Sequence, residues 1–160
     1  MILIGFMGSG KSSIARKLHR EGHSYVDLDA YIENSEGKTI ADIFSARGEA
    51  YFRELEYHAL KEVIGNYDVI STGGGIITHP LSFELLKETH EPIIWLDAPV
   101  HILMSRTKGS NKRPLARDRA AMRERYKSRV SLYRELADIR IDTSQNKTTC
   151  IKEIKTFLNG

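Results

Sequence analysis

The fold of this 160-residue chain is decided by the stretch LIGFMGSGKSSIARKL, residues 3–18. Within it, Gly5, Gly10, Lys11 and Ser12 match the pattern Gly-x-x-x-x-Gly-Lys-Ser. Backbone N–H groups of such a loop, and the start of the helix that follows it, cradle phosphate oxygens. The lysine of the pattern reaches the β- and γ-phosphates of a nucleotide, and the serine hydroxyl is a ligand of Mg²⁺. The stretch therefore predicts a strand, a phosphate loop and a helix.

Composition is that of one ordinary globular domain over residues 1–160, with 41% hydrophobic and 28% charged residues. The single cysteine, Cys150, allows no internal disulfide, which is typical of a reducing compartment. The sequence begins without a signal-peptide pattern, and its apolar runs are too short to span a membrane. We therefore expect a cytoplasmic protein. Its net charge of +3 is compatible with nucleic acid or with a small anionic substrate.

Apolar segments alternate with helical patterns along the whole chain. Strands are predicted at residues 2–4, 24–29, 67–72, 92–97 and 139–142. Helices are predicted after the phosphate loop, at 39–44, over the stripe 52–63, at 81–89, at 100–106, around 122–133 and at 151–158. Because parallel strands need crossover connections, this alternation predicts an α/β fold with a five-stranded parallel sheet and helices on both faces. Ligands of such sheets bind where the strands end at their carboxyl edge.

The kind of phosphate-loop protein follows from what accompanies the motif. A guanine-nucleotide switch carries Asn-Lys-x-Asp, but the two Asn-Lys pairs, at 111–112 and 146–147, lack the aspartate. The chain is also too short for a motor or helicase core. A kinase of small molecules is the class that these features favour.

Two carboxylates, Asp27 and Asp29, close the second predicted strand. Residues i and i+2 of extended backbone share a face, so we expect both side chains beside the phosphates. One can hold Mg²⁺ through water, and the other can accept a proton from a substrate hydroxyl. Helix N-capping by Asp29 is an alternative that is compatible with catalysis.

Three glycines, Gly73, Gly74 and Gly75, follow the third predicted strand and suggest that a ligand approaches the backbone there. On the helix before it, Arg53 and Glu56 are one turn apart. This spacing fits a surface ion pair, and it equally fits an arginine that is steadied by Glu56 and aimed at a substrate carboxylate.

Two further arginines stand out. Arg129 lies by spacing on the apolar stripe of Met122, Tyr126 and Tyr133, where an arginine either extends to solvent or meets an anion, and we favour the anion. Arg113 lies in a polar loop with Gly109 and Ser110. From there it can cover the phosphates and stabilise charge during phosphoryl transfer, or simply face solvent.

These motifs together resemble the shikimate kinase family over essentially the full chain. The matching stretches are IGFMGSGKSS, VDLD, GEAYFRELE, STGGGII, KRPL and RVSLYRELAD, in that order. The resemblance implies transfer of the γ-phosphoryl group of ATP to the 3-hydroxyl of shikimate, in aromatic amino-acid biosynthesis. It also implies a nucleoside-monophosphate-kinase-like P-loop fold, with a substrate-binding region at about 30–60 and a mobile lid at about 107–118.

The resemblance also implies roles for individual residues. Asp29 binds the shikimate hydroxyls and is the catalytic base, with Lys11 and Arg113 as further catalytic residues. The shikimate-binding residues are Asp29, Arg53, Gly73, Gly74, Gly75 and Arg129. The nucleotide-binding residues are Gly8, Ser9, Gly10, Lys11, Ser12, Ser13, Arg106, Arg113 and Asn146. The Mg²⁺ residues are Ser12 and Asp27.

The sequence departs from the family pattern at two positions. Ser13 stands where threonine is usual, and Asn146 stands where many relatives place an arginine against the adenine. Alternatives to the shikimate assignment are another small-acceptor kinase, acting on gluconate or a nucleoside monophosphate, and a non-catalytic nucleotide- or nucleic-acid-binding module. The paired arginines favour an acidic acceptor over a nucleobase. We expect a monomer that binds shikimate and ATP, without nucleic acid or membrane.

Overall fold

A computed structural model of the chain describes residues 1–107 and 119–160. Its centre is a five-stranded sheet with strand order β2-β3-β1-β4-β5, and each neighbouring pair is parallel. The strands are β1 (Ile2–Ile4), β2 (Tyr25–Asp27), β3 (Val69–Ser71), β4 (Ile93–Asp97) and β5 (Ile139–Asp142). The predicted α/β fold with a five-stranded parallel sheet is confirmed.

Among the described residues, six α-helices lie in the crossovers between the strands, and a seventh follows the last strand. They are α1 (Lys11–Arg20), α2 (Leu28–Glu36), α3 (Ile40–Val63), α4 (Pro80–Glu88), α5 (Val100–Thr107), α6 (Arg119–Leu136) and α7 (Lys147–Asn159). A short 3₁₀ helix at Ile76–Thr78 follows the three glycines. Within residues 1–107 and 119–160, no helix has the length and apolar character needed to cross a membrane.

The sheet is buried on both faces. Because successive residues of a strand point to opposite sides, each strand contributes side chains to both faces. Ile2 and Ile4 of β1 belong to one apolar cluster and Leu3 belongs to the other, and all three are fully buried. The Leu3 side is covered by α1 and α7, and the Ile2 side by the remaining helices. Each fully buried side chain of this size stabilises the fold by about 1.5–3 kcal/mol.

Strand β1 lies in the middle of the sheet, between β3 and β4, with Ile2 opposite both Ile70 and Ile93. After β1, the chain forms β2 and β3 on one side of this strand, and later forms β4 and β5 on the other side. This reversal of strand order opens a crevice at the carboxyl edge, directly at the end of β1. The phosphate loop therefore enters the centre of the ligand-binding edge.

The region around Asp27 and Asp29 differs from the sequence-based expectation. Strand β2 ends at Asp27, and the unpredicted helix α2 begins at Leu28. The two carboxylates therefore do not share a face of extended backbone. The helix cap is Asp27 rather than Asp29, because the Asp27 Oδ1 atom accepts a hydrogen bond from Ala30 N at 3.1 Å. Asp29 instead lies in the first turn of α2.

Helix α3 joins the two predicted helices, 39–44 and 52–63, across a break at Gly48. Thr39 caps the helix, because its Oγ1 atom accepts a hydrogen bond from Asp42 N at 3.1 Å. Gly48 has φ 85° and ψ 173°, a conformation that is essentially restricted to glycine. The break turns the chain between the two helical segments, and the second segment carries Arg53 and Glu56.

We predict that Gly48→Ala destabilises the protein by about 1–3 kcal/mol, the cost of forcing a side-chain-bearing residue into this backbone conformation. A Cβ atom at Gly48 would have no atom within 4 Å, so the cost is conformational and not steric. Urea unfolding measures it, with the exposed Ser45→Ala on the same helix as control. Stabilisation by Gly48→Ala would instead mean that α3 prefers to continue through the break.

Candidate active site

The phosphate loop occupies the turn between β1 and α1. Gly8 shows why it needs glycine: its φ is 81°, and a Cβ atom there would lie 2.7 Å from the Leu103 carbonyl oxygen. Helix α1 starts immediately after Gly10, which has no side chain with which to cap it. A helix start without a side-chain acceptor suits an external anion, since its dipole favours negative charge.

Lys11 lies in the first turn of α1 and is only 9% exposed. Its ammonium group donates to the carbonyl oxygens of Gly5 at 2.6 Å and Phe6 at 3.1 Å, and to Ser9 Oγ at 3.4 Å. These contacts bind the lysine to the loop itself. The positive charge is therefore held inside the curve of the loop, where phosphate oxygens are expected.

A cavity of about 300 Å³ lies in front of this loop. The residues that line it come from the loop, from α1, from the β2–α2 junction and from the end of β3. They are Gly8, Gly10, Lys11, Ser12, Ser13, Arg16, Asp27, Asp29, Thr72, Gly73 and Gly74. The structure thus brings the phosphate loop, both aspartates and two of the three glycines together. Arg16 and Thr72 also line the cavity, although the sequence analysis assigned no role to either residue.

The three glycines at the end of β3 leave room for charged side chains. A Cβ atom on Gly73 would lie 2.7 Å from Glu56 Oε2 and 3.3 Å from Asp29 Oδ1. A Cβ atom on Gly75 would lie 2.3 Å from Arg53 Nη2, and one on Gly74 would lie 3.3 Å from Met7 N. Each glycine thus allows a different group to approach the backbone.

Arg53 and Glu56 form a buried ion pair. Arg53 Nη1 donates to Glu56 Oε1 at 2.6 Å, and Nη2 donates to Glu49 Oε2 at 3.0 Å. The Glu56 side chain is 1% exposed and that of Arg53 14%, so the surface ion pair allowed by the spacing is not what forms. Among the residues that the structure describes, Arg53 Nε and Glu56 Oε2 are buried without a hydrogen-bond partner.

Burial has the largest effect on the pKa of Glu56. It raises the pKa of this carboxyl from 4.5 to about 7, and the neighbouring Asp29 charge adds to the rise, while Arg53 and Arg129 oppose it. The attraction of the two guanidinium groups is therefore not enough to compensate for lost hydration. A carboxyl in this state is sensitive to any charge that enters the cavity beside it.

Arg129 is buried on helix α6, at 8% exposure, and does not extend to solvent. Its guanidinium lies over the Phe6 ring, 5.7 Å from the centroid. Burial lowers the pKa of Arg129, and repulsion from Arg53 lowers it further. Two guanidinium groups that repel each other in a buried place favour an anion between them.

A second cavity of about 370 Å³ lies on the other side of the phosphate loop and includes Arg106, Thr143 and Asn146. Arg106 donates to Gly8 O at 3.1 Å and to Thr143 O at 2.6 Å, and the Thr143 hydroxyl donates to Ser9 O at 2.7 Å. The Asn146 side chain caps α7 by accepting from Thr149 N at 2.8 Å. Arg106 and Thr143 therefore brace the loop from this side, and sequence reasoning missed Thr143.

A larger cavity, of about 660 Å³, lies between α1 and α7, and none of the residues lining it is a predicted site residue. Arg113, the predicted lid arginine, lies outside the described residues.

The fold and the site define a P-loop kinase. The parallel sheet places the phosphate loop at its switch point, and acidic and basic side chains from separate elements surround the cavity in front of it. A deoxyadenosine kinase from M. mycoides with bound dATP shares this fold, with a TM-score of 0.60 at 15% identity over 99% of both chains.

The chain belongs to the shikimate kinase family, whose family model matches residues 7–159. The shikimate kinase of Staphylococcus haemolyticus is 40% identical, over 99% of this chain and 93% of that protein. The shikimate kinase of Persephonella marina is 42% identical, over 88% and 87%. Shikimate kinase from Acinetobacter baumannii, solved in complex with shikimate, superposes with a TM-score of 0.90 at 34% identity, over 99% of this chain and 92% of that one.

We predict that Glu56→Gln changes how stability depends on pH. Since the Glu56 pKa is about 7 in the folded protein and near 4.5 unfolded, the contribution of Glu56 to wild-type stability falls as pH rises between these values. Glutamine does not titrate. The unfolding free energy of the variant minus that of wild type should therefore increase between about pH 5 and pH 8, by up to about 3 kcal/mol.

Urea unfolding of both proteins across this pH range provides the measurement. Glu84, which is exposed on helix α4, is the matched control, and for Glu84→Gln the difference from wild type should stay flat. A flat difference for Glu56→Gln as well would contradict a buried carboxyl that titrates near neutral pH.

Proposed function

We propose that this protein transfers the γ-phosphoryl group of ATP to the 3-hydroxyl of shikimate, giving shikimate 3-phosphate and ADP in aromatic amino-acid biosynthesis. Membership of the shikimate kinase family supports the reaction. The observation that carries the choice of acceptor is the buried pair of Arg53 and Arg129 near Asp29 and the phosphate loop. Such a pair suits a small acceptor that carries a carboxylate and hydroxyl groups.

The acceptor is held mainly by charge in this proposal. Arg53 and Arg129 bind the shikimate carboxylate, whose negative charge relieves their mutual repulsion. Glu56 and Glu49 hold the Arg53 guanidinium through two separate nitrogens, so its orientation is set before the acceptor arrives. The three glycines at 73–75, called the glycine turn below, lie against the acceptor ring, and Gly74 does so most directly.

Asp29 is the proposed catalytic base. It lies in the same cavity as the phosphate loop and beside the Gly73 backbone, where it can orient the acceptor hydroxyl and take its proton. Lys11 and Arg113 stabilise the charge that spreads over the transferring phosphoryl group. Because the transition states of such reactions are loose, most of the rate enhancement comes from alignment and electrostatics.

The donor set at Ser12 and Asp27 fits Mg²⁺. Ser12 Oγ donates to Asp27 Oδ2 at 3.2 Å, which places a hydroxyl and a carboxylate oxygen side by side in the cavity. Oxygen ligands in small number suit Mg²⁺, which keeps several waters and binds substrate phosphates. Bound there, Mg²⁺ would neutralise charge on the β- and γ-phosphates.

The nucleotide base is assigned to the second cavity, with Arg106 and Asn146 at its edge. Gly8, Ser9, Gly10 and Ser13 contribute to the phosphate side. The proposal further includes one domain over 1–160, a substrate-binding region at about 30–60 and a lid at about 107–118. We propose that the enzyme is cytoplasmic and monomeric, and that it acts on small molecules rather than nucleic acid or membranes.

The proposal is tested by ADP release from Mg-ATP, alone and with shikimate, gluconate or nucleoside monophosphates added in turn. Among these acceptors, we expect only shikimate to stimulate ADP release strongly. Stimulation by another acceptor would keep the phosphate loop but overturn the roles of Arg53 and Arg129. Salt-sensitive retention of DNA or RNA without acceptor-dependent turnover would support a binding module instead.

We predict that Asp29→Asn lowers kcat by about 10²–10⁴-fold, because the amide cannot accept the proton of the hydroxyl. The KM for ATP should stay within about twofold of wild type, since the phosphate loop is untouched. The exposed Asp42→Asn on α3 is the control and should be fully active. Normal kcat in Asp29→Asn would exclude Asp29 as the base.

A further inference from the structure

Tyr133 belongs to helix α6 and has the largest fully buried side chain among residues 1–107 and 119–160. Its ring stacks on Trp95 of β4, with centroids 5.9 Å apart and an interplanar angle of 26°. Packing alone would be satisfied by phenylalanine at this position. The hydroxyl group therefore calls for its own explanation.

The hydroxyl reaches across the structure to the glycine turn. It donates its hydrogen to the carbonyl oxygen of Gly74, a residue 59 positions away in the chain. Gly74 itself packs against the phosphate loop, since a Cβ atom there would lie 3.3 Å from both Gly5 O and Met7 N. The bond thus fixes a peptide that lies between the phosphate loop and the charged groups around Gly73 and Gly75.

The Arg129 guanidinium, one helical turn earlier on α6, lies close enough to this hydroxyl for the two groups to interact electrostatically. A phenol oxygen that donates its hydrogen to a carbonyl keeps lone pairs that can accept from a guanidinium. Burial raises the pKa of Tyr133, so the hydroxyl remains protonated and can serve both partners. Arg129 needs such a partner because Arg53 repels it.

We propose that Tyr133 is a positioning residue that holds Arg129 and the Gly74 peptide in one fixed arrangement and thereby sets the affinity for the acceptor. It touches neither the phosphates nor the acceptor in this assignment. One oxygen atom links the arginine that binds the acceptor carboxylate to the turn that lies against the acceptor ring. The inference rests on the proposed function, since the KM for shikimate is its readout.

Helix α6 offers a matched control about two turns before Tyr133. The Tyr126 hydroxyl also makes a polar contact with a buried group, donating to the Asp97 carboxylate at 3.1 Å. Asp97 lies on β4 and is held by Arg140 Nε at 3.0 Å, so this contact involves neither the glycine turn nor Arg129. Tyr126→Phe therefore removes a comparable hydrogen bond from the same helix without disturbing the proposed link.

The experiment compares wild type, Tyr133→Phe, Tyr126→Phe and Arg129→Ala in steady-state kinetics and thermal unfolding. Tyr133→Phe should raise the KM for shikimate about tenfold, the loss expected when a buried carbonyl loses its hydrogen-bond donor. Its KM for ATP should stay within about twofold, and Arg129→Ala should show the same pattern more strongly. Tyr126→Phe should lower thermal stability comparably but leave the KM for shikimate within about twofold.

An unchanged KM for shikimate in Tyr133→Phe, with an active wild type, would overturn this inference alone. An equal rise in Tyr126→Phe would also overturn it, because both tyrosines would then merely hold the helix in place. Wild-type enzyme that shikimate does not stimulate would overturn the proposed function and this inference together. The kinetics of Tyr133→Phe, of Tyr126→Phe and of wild type with shikimate therefore separate these three outcomes.

Discussion

The burial of ionic groups beneath the end of β3 is the constraint on which the rest of the site depends. Arg53, Glu56, Asp29 and Arg129 interact electrostatically in a place where hydration is largely lost. Such groups are tolerated only when they are close, paired and correctly oriented. The glycines at 73–75 make that closeness possible, because any side chain at Gly73 or Gly75 would overlap a carboxylate or a guanidinium.

Much of the fold could be predicted because its signals are local. The phosphate loop is a contiguous motif, and the buried strands are short apolar runs bounded by helical stripes. The position of Arg129 followed from helical spacing alone. Helix α2 was missed because its buried residues, Leu28 and Ile32, form a single apolar pair that is too short to show a period. That omission also misplaced Asp29 on extended backbone.

The remaining site features depend on contacts between distant parts of the chain. Nothing near Gly75 in the sequence indicates that the Arg53 guanidinium lies against it. Likewise, nothing near Thr143 indicates that its hydroxyl donates a hydrogen bond to the carbonyl oxygen of Ser9. The spacing of Arg53 and Glu56 could not decide between a surface and a buried pair, since burial is set by the whole fold. Arg113 lies outside the described residues, so its role stays a prediction.

Trp95 gives the protein an optical property that follows from its location. It is the only tryptophan in the sequence, and it is 2% exposed on strand β4, next to the central strand β1. Its indole ring stacks on Tyr133 and lies 5.9 Å from the Arg134 guanidinium and 5.7 Å from that of Arg140. All tryptophan fluorescence of the molecule therefore originates from one ring, which is in contact with the tyrosine that holds Gly74. A change in the wavelength or intensity of the tryptophan emission on ligand addition therefore reports on the sheet behind the cavity, without any added label.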